Sequence, residues 1–291
     1  MRKRNSDIQL TSYEDILGLN TTEDNDSEKI LTIPLEELHT FKDHPFRVVD
    51  DEKMQETVES IEKYGVLVPA IAREREAGGY ELIAGHRRKR GSELAGKTDM
   101  PVIVRNYTDD EAVVIMVDSN IQREDILPSE KAKAYAMKYE ALNNKGKREG
   151  GSTFEMIGEA AGESGKTVQR YIRLARLKDE LLDMVDIKRI GFIPGVDISY
   201  LSEEQQSWVL EILSTTSCTI SKEQAARLKE YAKSGELTKA VMELLLCTPR
   251  GKEKQITIKR DRISRYFPEG YSNKEIEDVI FQLLEEWKNK A

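Results

Sequence analysis

The hydrophobic pattern of this chain changes character at Tyr107. From Ile30 to that point short apolar runs alternate with amphipathic segments. Ile30, Leu31 and Ile33 form a brief strand-like run. Residues 51–64 read as a helix, with Met54, Val58 and Ile61 at four- and three-residue spacing and Gly65 as the stop. Residues 66–72, 80–84 and 101–107 read as strands, and 87–95 as a helix closed by Gly96. Strands alternating with helices over roughly 80 residues predict a small α/β domain.

After Tyr107 the spacing is almost wholly helical. Thr108-Asp109-Asp110-Glu111 has the form of a capping box ahead of the apolar run 112–117. Pro128 opens a second helix with Ala132, Tyr135, Ala136, Tyr139 and Leu142 on one face. Residues 143–151 (NNKGKREGG) read as a linker. Ser152-Thr153-Phe154-Glu155 repeats the capping pattern, and helical segments run on to about Leu246. A second linker, 248–254, precedes a short strand at 255–258. The chain closes with an amphipathic helix, 273–287, carrying Ile276, Val279, Ile280, Leu283, Leu284 and Trp287 on one face. The expected class is therefore α+β and multidomain. Its parts are an arm (1–29), an α/β domain (30–107), connecting helices (108–142), an all-α domain (152–247) and a strand–helix segment (255–291).

Charge narrows the function classes. Lys and Arg number 45 against 53 Asp and Glu, a net −8. That excludes a chain coating nucleic acid with its whole surface and leaves room only for a local basic patch. Cys218 and Cys247 form no CxxC, and His39, His44 and His86 form no HxxxH. The expectation is two free thiols in a reducing cytosol, not a disulfide scaffold or structural zinc. The longest apolar run, 112–117, falls far short of the ~20 residues that cross a bilayer. Met1-Arg2-Lys3-Arg4 is followed by polar Asn5, Ser6 and Asp7, so neither export nor a membrane association is expected.

Gly162-Glu163-Ser164-Gly165-Lys166-Thr167 resembles a phosphate-binding loop. The glycine that motif needs five positions before Gly165 is Ala160, and helix rather than strand precedes it. A helix-turn-helix accounts for the same residues better. Phe154, Ile157, Ala160 and Ala161 give the first helix an apolar face, and Gly162 permits the turn. Ser164 caps the second helix, whose Val168, Ile172 and Ala175 face inward. Lys166, Thr167, Gln169, Arg170, Arg173 and Arg176 then point outward. Between Lys166 and Lys178 there are five basic residues and no acidic one. Lys and Arg there suit phosphate contacts, and Gln169 and Arg170 suit base edges in a major groove of double-stranded DNA.

Ala84-Gly85-His86-Arg87-Arg88-Lys89-Arg90 lies where a strand ends and a helix begins. Glycine there lets backbone N–H groups approach an anion, and arginines add bidentate contacts. So basic a start opposes the helix dipole, a cost that a bound phosphate would relieve. A solvated basic turn and a second DNA patch are the competing explanations. Asn120 offers an oxygen to a hard cation such as Mg²⁺, and Arg123 can reach a phosphate.

In this order, His44-Pro45-Phe46-Arg47, Gly65-Val66-Leu67-Val68-Pro69, Gly85-His86-Arg87-Arg88-Lys89-Arg90 and Ser119-Asn120-Ile121-Gln122-Arg123-Glu124-Asp125 resemble the motifs of the ParB family of DNA-segregation proteins. The resemblance covers roughly 30–246. It implies a CTP pocket in which Gly85, Arg87 and Arg88 hold the triphosphate, with His86 of the same motif among the nucleotide-binding residues. Asn120 would help hold Mg²⁺, Arg123 would reach a phosphate, and Arg47, Gly65, Leu67 and Pro69 would line the pocket. It further implies a centromere-like DNA site read by the helix-turn-helix at Ser164, Lys166, Thr167, Gln169, Arg170 and Arg173. CTP would gate a homodimer into a sliding clamp, held together by the C-terminal segment. An N-terminal arm would contact a ParA-type ATPase, and the protein would sit in the cytoplasm on a nucleoid or plasmid. Two positions depart from the family pattern. His86 stands where the family has a glutamate linked to hydrolysis, and Ser119 stands where it has another glutamate. The implication is CTP bound but hydrolysed slowly or not at all. A nucleotide-independent DNA-binding regulator on the same scaffold is the alternative.

Overall fold

The computed structural model describes residues 30–123, 125–144, 152–216, 218–247, 266–267 and 270–290. The arm 1–29, most of the linker 143–151 and the strand expected at 255–258 lie outside the described residues. The chain divides into two compact units, Met1–Cys247 and Thr248–Ala291.

The first unit begins with β1 (Ile30–Pro34), one 3-10 turn, β2 (Leu38–Thr40), α1 (Glu52–Tyr64), β3 (Ala70–Glu74), β4 (Tyr80–Ala84), α2 (His86–Leu94) and β5 (Asp99–Val104). The five strands form one mixed sheet in the order β1-β5-β3-β4-β2. β3 runs antiparallel to β4 and parallel to β5, so it sits at the centre. Alternation along the strands separates two faces. Ala70, Ala72, Leu82 and Val102 belong to one buried cluster with Ile33 and Met100. Ile71 and Ile83 belong to another, which they share with Ala112, Met116 and Val117.

Those last three residues lie on α3 (Asp109–Asp118), whose start is the expected capping box: the Thr108 hydroxyl accepts from the Glu111 amide and Glu111 answers to the Thr108 amide. α4 (Pro128–Asn144) follows, then α5 (Thr153–Ala161), α6 (Gly165–Leu174), α7 (Asp179–Asp186), α8 (Phe192–Ile198), α9 (Glu203–Thr215), α10 (Lys222–Ser234) and α11 (Lys239–Cys247). Tyr135 of α4, fully buried, joins the sheet-side cluster to Ile157 of α5 and Val168 of α6. A separate cluster built on Leu174, Leu181, Leu182, Ile198, Val209 and Leu228 holds α7 to α11.

Several local expectations shift. The strand expected over 66–72 begins only at Ala70. Pro69 has no N–H to give a ladder, and Leu67 and Val68 are 74% and 59% exposed. The strand expected over 101–107 runs Asp99–Val104 instead, because the chain must leave the sheet to reach the Thr108 cap. Ser152 does precede α5, but its side chain makes no capping bond, so no capping box forms there. β2 escaped notice because three residues carry no readable period.

In the second unit α12 (Asn273–Lys290) is the expected amphipathic helix. It starts on a reciprocal cap: the Ser272 amide donates to Glu275 (2.7 Å) and the Glu275 amide donates to the Ser272 hydroxyl (3.3 Å). Phe281, Leu283, Leu284 and Trp287 are exposed within this unit. Among the described residues no helix is long and apolar enough to cross a membrane.

Candidate functional site

At the end of β4 the chain turns through Gly85 with φ 112° and ψ 19° and enters α2 at once. That conformation favours glycine. A Cβ there would also meet the Ala70 Cβ at 2.9 Å. The backbone is therefore pressed against the sheet, and α2 presents its first amide groups beside that turn. The first five residues of α2 are His86, Arg87, Arg88, Lys89 and Arg90.

Acidic groups from the neighbouring helix offset part of this charge. Asp51 caps α1 by accepting from the Met54 amide (2.8 Å), and the same oxygen receives Arg87 at 3.3 Å. The bond from Met54 and the Arg87 guanidinium hold the Asp51 carboxyl below its ordinary range. Arg90 forks onto Asp50 through two contacts of 2.6 and 3.1 Å. Arg88 turns the other way, donating to the Val68 and Pro69 carbonyls at 2.6 and 2.5 Å. It thereby ties the irregular segment before β3 to the start of α2.

A cleft of about 210 Å³ opens at this turn. Its walls come from four places: His44 to Val48, Val68 to Ile71, Ala84 to Arg88, and Ile115 to Arg123 at the end of α3. Of the ten residues expected at a nucleotide, Arg47, Pro69, Gly85, His86, Arg87, Arg88, Asn120 and Arg123 line it. Gly65 and Leu67 do not. They line an adjoining groove with Val66 and Arg88, and Val68 reaches the cleft in their place. Sequence reasoning named Phe46 and Gln122 only as members of their motifs and missed Ile71 and Ile115, apolar residues with no chemical signature of their own.

Two histidines stand side by side in the cleft wall. The His44 and His86 rings are 3.9 Å apart between centroids. His44 Nδ1 donates to the Phe46 carbonyl at 2.8 Å, which leaves a lone pair on its Nε2. Neither Nε2 has a hydrogen-bond partner among the described residues. Burial, with His44, Lys89 and Arg88 nearby, pushes His86 down to about 3. Burial also lowers His44. Both rings are therefore neutral near pH 7.

The far wall is less suited to a metal. Asn120 turns its amide nitrogen to the Met116 carbonyl (2.9 Å), and its oxygen faces Arg123 at 3.5 Å. Asp118 lines the cleft but is paired with the buried Lys138. Among the described residues no group of three His, Cys, Asp or Glu gathers around one point. One amide oxygen suits only a Mg²⁺ that takes its other ligands from phosphates and water.

The second candidate surface lies around α5 and α6. Gly162 ends α5 in a left-handed conformation, and Ser164 accepts from the Thr167 amide (3.2 Å) to start α6. The turn is tight: a Cβ on Gly158 would stand 2.3 Å from the Glu163 carbonyl oxygen. Lys166, Gln169, Arg170 and Arg176 are exposed, as expected, and Thr167 is half-buried. Arg173 departs from the expectation of an outward side chain. Its guanidinium donates to the Ser199 carbonyl (2.9 Å) and lies 3.9 Å over the Tyr200 ring, so it braces α6 against α8.

α4 connects the two surfaces. Glu130, at its start, accepts from the Arg47 amide in the cleft wall at 2.7 Å and from the Leu127 amide at 3.1 Å. The next residue, Lys131, pairs with Glu163 in the turn before α6, and Tyr135 donates to the same carboxylate at 3.0 Å.

Residues 20–121 match the family model described as the ParB N-terminal domain. A probable chromosome 1-partitioning protein ParB of Deinococcus radiodurans is 30% identical over 200 residues, 68% of this chain and 66% of that protein. This chain belongs to the ParB family. A chromosome-partitioning ParB of Myxococcus xanthus is 35% identical over 54% of this chain and 50% of that protein. A nucleoid occlusion protein of a Geobacillus species is 31% identical over 55% and 54%. The chain thus spans half to two thirds of the length of these ParB relatives. Among solved structures, a C-terminally truncated ParB from Caulobacter crescentus complexed with CTP-gamma-S is 26% identical. It covers 64% of this chain and 99% of that one at a TM-score of 0.31, too loose a superposition to add to the fold.

Proposed function

We propose that this ParB-family chain is a DNA-segregation protein that binds CTP in the cleft at Gly85 and a specific double-stranded DNA site through α5 and α6. One observation carries the reading. The fold brings the pressed-in glycine turn and its arginines together with Asn120 and Arg123, some thirty residues further along, around one cleft. An anion seated there would meet amide groups at a helix N-terminus and several guanidinium groups at once. Asn120 would supply one oxygen to a phosphate-bound Mg²⁺, provided Arg123 moves onto the phosphates.

The helix-turn-helix reading is supported by the tight turn at Gly158 to Ser164 and by the exposed Lys166, Gln169 and Arg170 at the head of α6. Binding would rest on these residues, with Ser164 and Thr167 at the helix start. Arg173 contributes by bracing the helix. In the full reading CTP converts a homodimer into a clamp that slides on DNA. The tail holds the dimer through the apolar face of α12, and the arm meets a ParA-type ATPase. The protein works in the cytoplasm on a nucleoid or plasmid. His86 replaces the carboxylate expected for hydrolysis, and Lys138 occupies the nearby Asp118, so turnover of CTP is slow.

The test is equilibrium binding of the four ribonucleoside triphosphates with Mg²⁺, with and without DNA from around the gene. Selective CTP binding strengthened by DNA is the expected result. If no triphosphate binds while DNA does, the chain is a nucleotide-independent DNA-binding regulator.

A further inference from the structure

We propose that Cys218 and Cys247 form a reversible dithiol–disulfide couple that fastens the end of the first compact unit. The two sulfurs lie 3.6 Å apart, in van der Waals contact, although 29 positions separate them in sequence. Both are free thiols; Cys247 is exposed and Cys218 half-buried. Cys218 lies in the connection between α9 and α10, and Cys247 is the last residue of α11.

The backbone on each side is held in place, so the approach is built into the fold. Arg189 donates to the Leu213 carbonyl and to that of Thr216 (3.1 Å), which fixes the end of α9. The Cys218 amide donates to the Thr216 hydroxyl at 3.4 Å. Gln224 of α10 donates to the Leu245 carbonyl at 2.7 Å, two residues before Cys247. No third His, Cys, Asp or Glu joins the sulfurs among the described residues, so a closed metal site does not compete for them.

The chemistry needs a small-molecule disulfide as oxidant. The accessible Cys247 loses its proton, and its thiolate attacks one sulfur of that disulfide. A mixed disulfide forms and one small thiolate leaves. Cys218, deprotonated in turn, attacks the Cys247 sulfur and expels the second small thiolate. Two protein thiols are oxidised and one small disulfide is reduced to two thiols. Partial desolvation of its sulfur, the contact with the Cys218 thiol and the nearby Glu243 carboxylate hold Cys247 above the ordinary thiol range, against a smaller opposite effect of Thr216, so closure speeds up as pH rises. Thr248, the next residue, begins the second unit. The bond would therefore fix the point at which the chain leaves the first.

The full-length protein is equilibrated in glutathione buffers of graded oxidised-to-reduced ratio, alkylated, and analysed by mass spectrometry, in buffer and in concentrated urea. A folded chain that holds the sulfurs together should close at a ratio at least about tenfold more reducing than the unfolded chain. The peptide map should show one Cys218–Cys247 link, and Cys218→Ser should leave glutathione on Cys247. Equal midpoints in buffer and urea, or a map holding only mixed or interchain disulfides, would overturn the proposal.

Discussion

The Arg47 guanidinium reaches Asp183 of α7 at 2.9 Å, across 136 positions of sequence. Its backbone is fastened to Glu130 inside the cleft wall, yet its side chain leans away onto a helix of the all-α part. Asp186, 4.0 Å from the same guanidinium, is itself held by the Ser129 amide and hydroxyl at 2.9 and 2.5 Å. The Arg47 and Asp183 side chains are 56% and 61% exposed, so their bridge contributes at most about 1 kcal/mol. A triphosphate in the cleft is a stronger partner for a guanidinium than one exposed carboxylate.

Arg47 should therefore exchange partners when nucleotide binds. Asp183→Asn should tighten CTP binding about two- to fivefold, the factor expected for removing a competitor of under ~1 kcal/mol. Arg47→Ala should weaken it about tenfold. Isothermal titration of both variants measures this; unchanged affinity in Asp183→Asn would show that the bridge does not compete.

Gly85→Ala should abolish triphosphate binding and cost stability. The added methyl meets Ala70 at 2.9 Å in a conformation that L side chains avoid. A loss of about 1–3 kcal/mol in urea unfolding is expected. DNA binding tested at a temperature where the variant is folded should persist, since α6 lies elsewhere.

The histidine pair predicts an acid-side weakness. His86 binds its proton with a pKa of about 3 when folded, against about 6.5 for a solvated imidazole in the unfolded chain. The unfolded chain therefore holds more protons between these values, and stability is lost as pH falls through that window. Between about pH 7 and 5 one such group contributes a loss of about 2 kcal/mol. His86→Gln should flatten the slope of unfolding free energy against pH over that range. An identical slope in the variant would assign the acid sensitivity to other groups.

On the DNA side, Arg170→Ala should reduce affinity for the specific site by about 1–3 kcal/mol if it reads a base, with sequence preference relaxed at that position. Lys166→Ala should weaken all sequences alike and shallow the salt dependence by about one counterion. Arg173→Ala should instead lower the melting temperature, because its partners are Ser199 and Tyr200. Fluorescence anisotropy at several salt concentrations, paired with thermal melts, separates the three behaviours.

What the sequence made legible was local. The Thr108 capping box, the Gly162 stop and the glycine–arginine turn each lie within a few residues, and each stands where its spacing put it. The misses are long-range. Nothing near Arg173 in sequence announces Tyr200, and nothing near Lys138 announces Asp118. Gly65 and Leu67 were carried to the nucleotide by resemblance, whereas Pro69 stops β3 short and leaves them lining a neighbouring groove. His44 and His86 were each visible, but only the fold stacks them.

Glu130 and Lys131 are consecutive, yet one grips the cleft wall and the other grips the turn ahead of α6. A single peptide unit thus acts as a shared pivot for both candidate surfaces. If a ligand in the cleft displaced Glu130, the same stretch of α4 would carry the movement to Glu163 ahead of α6 with no intervening loop to absorb it. Ligand and DNA would then sense each other through rigid-body leverage over one helical turn, a route short enough to leave little room for slack.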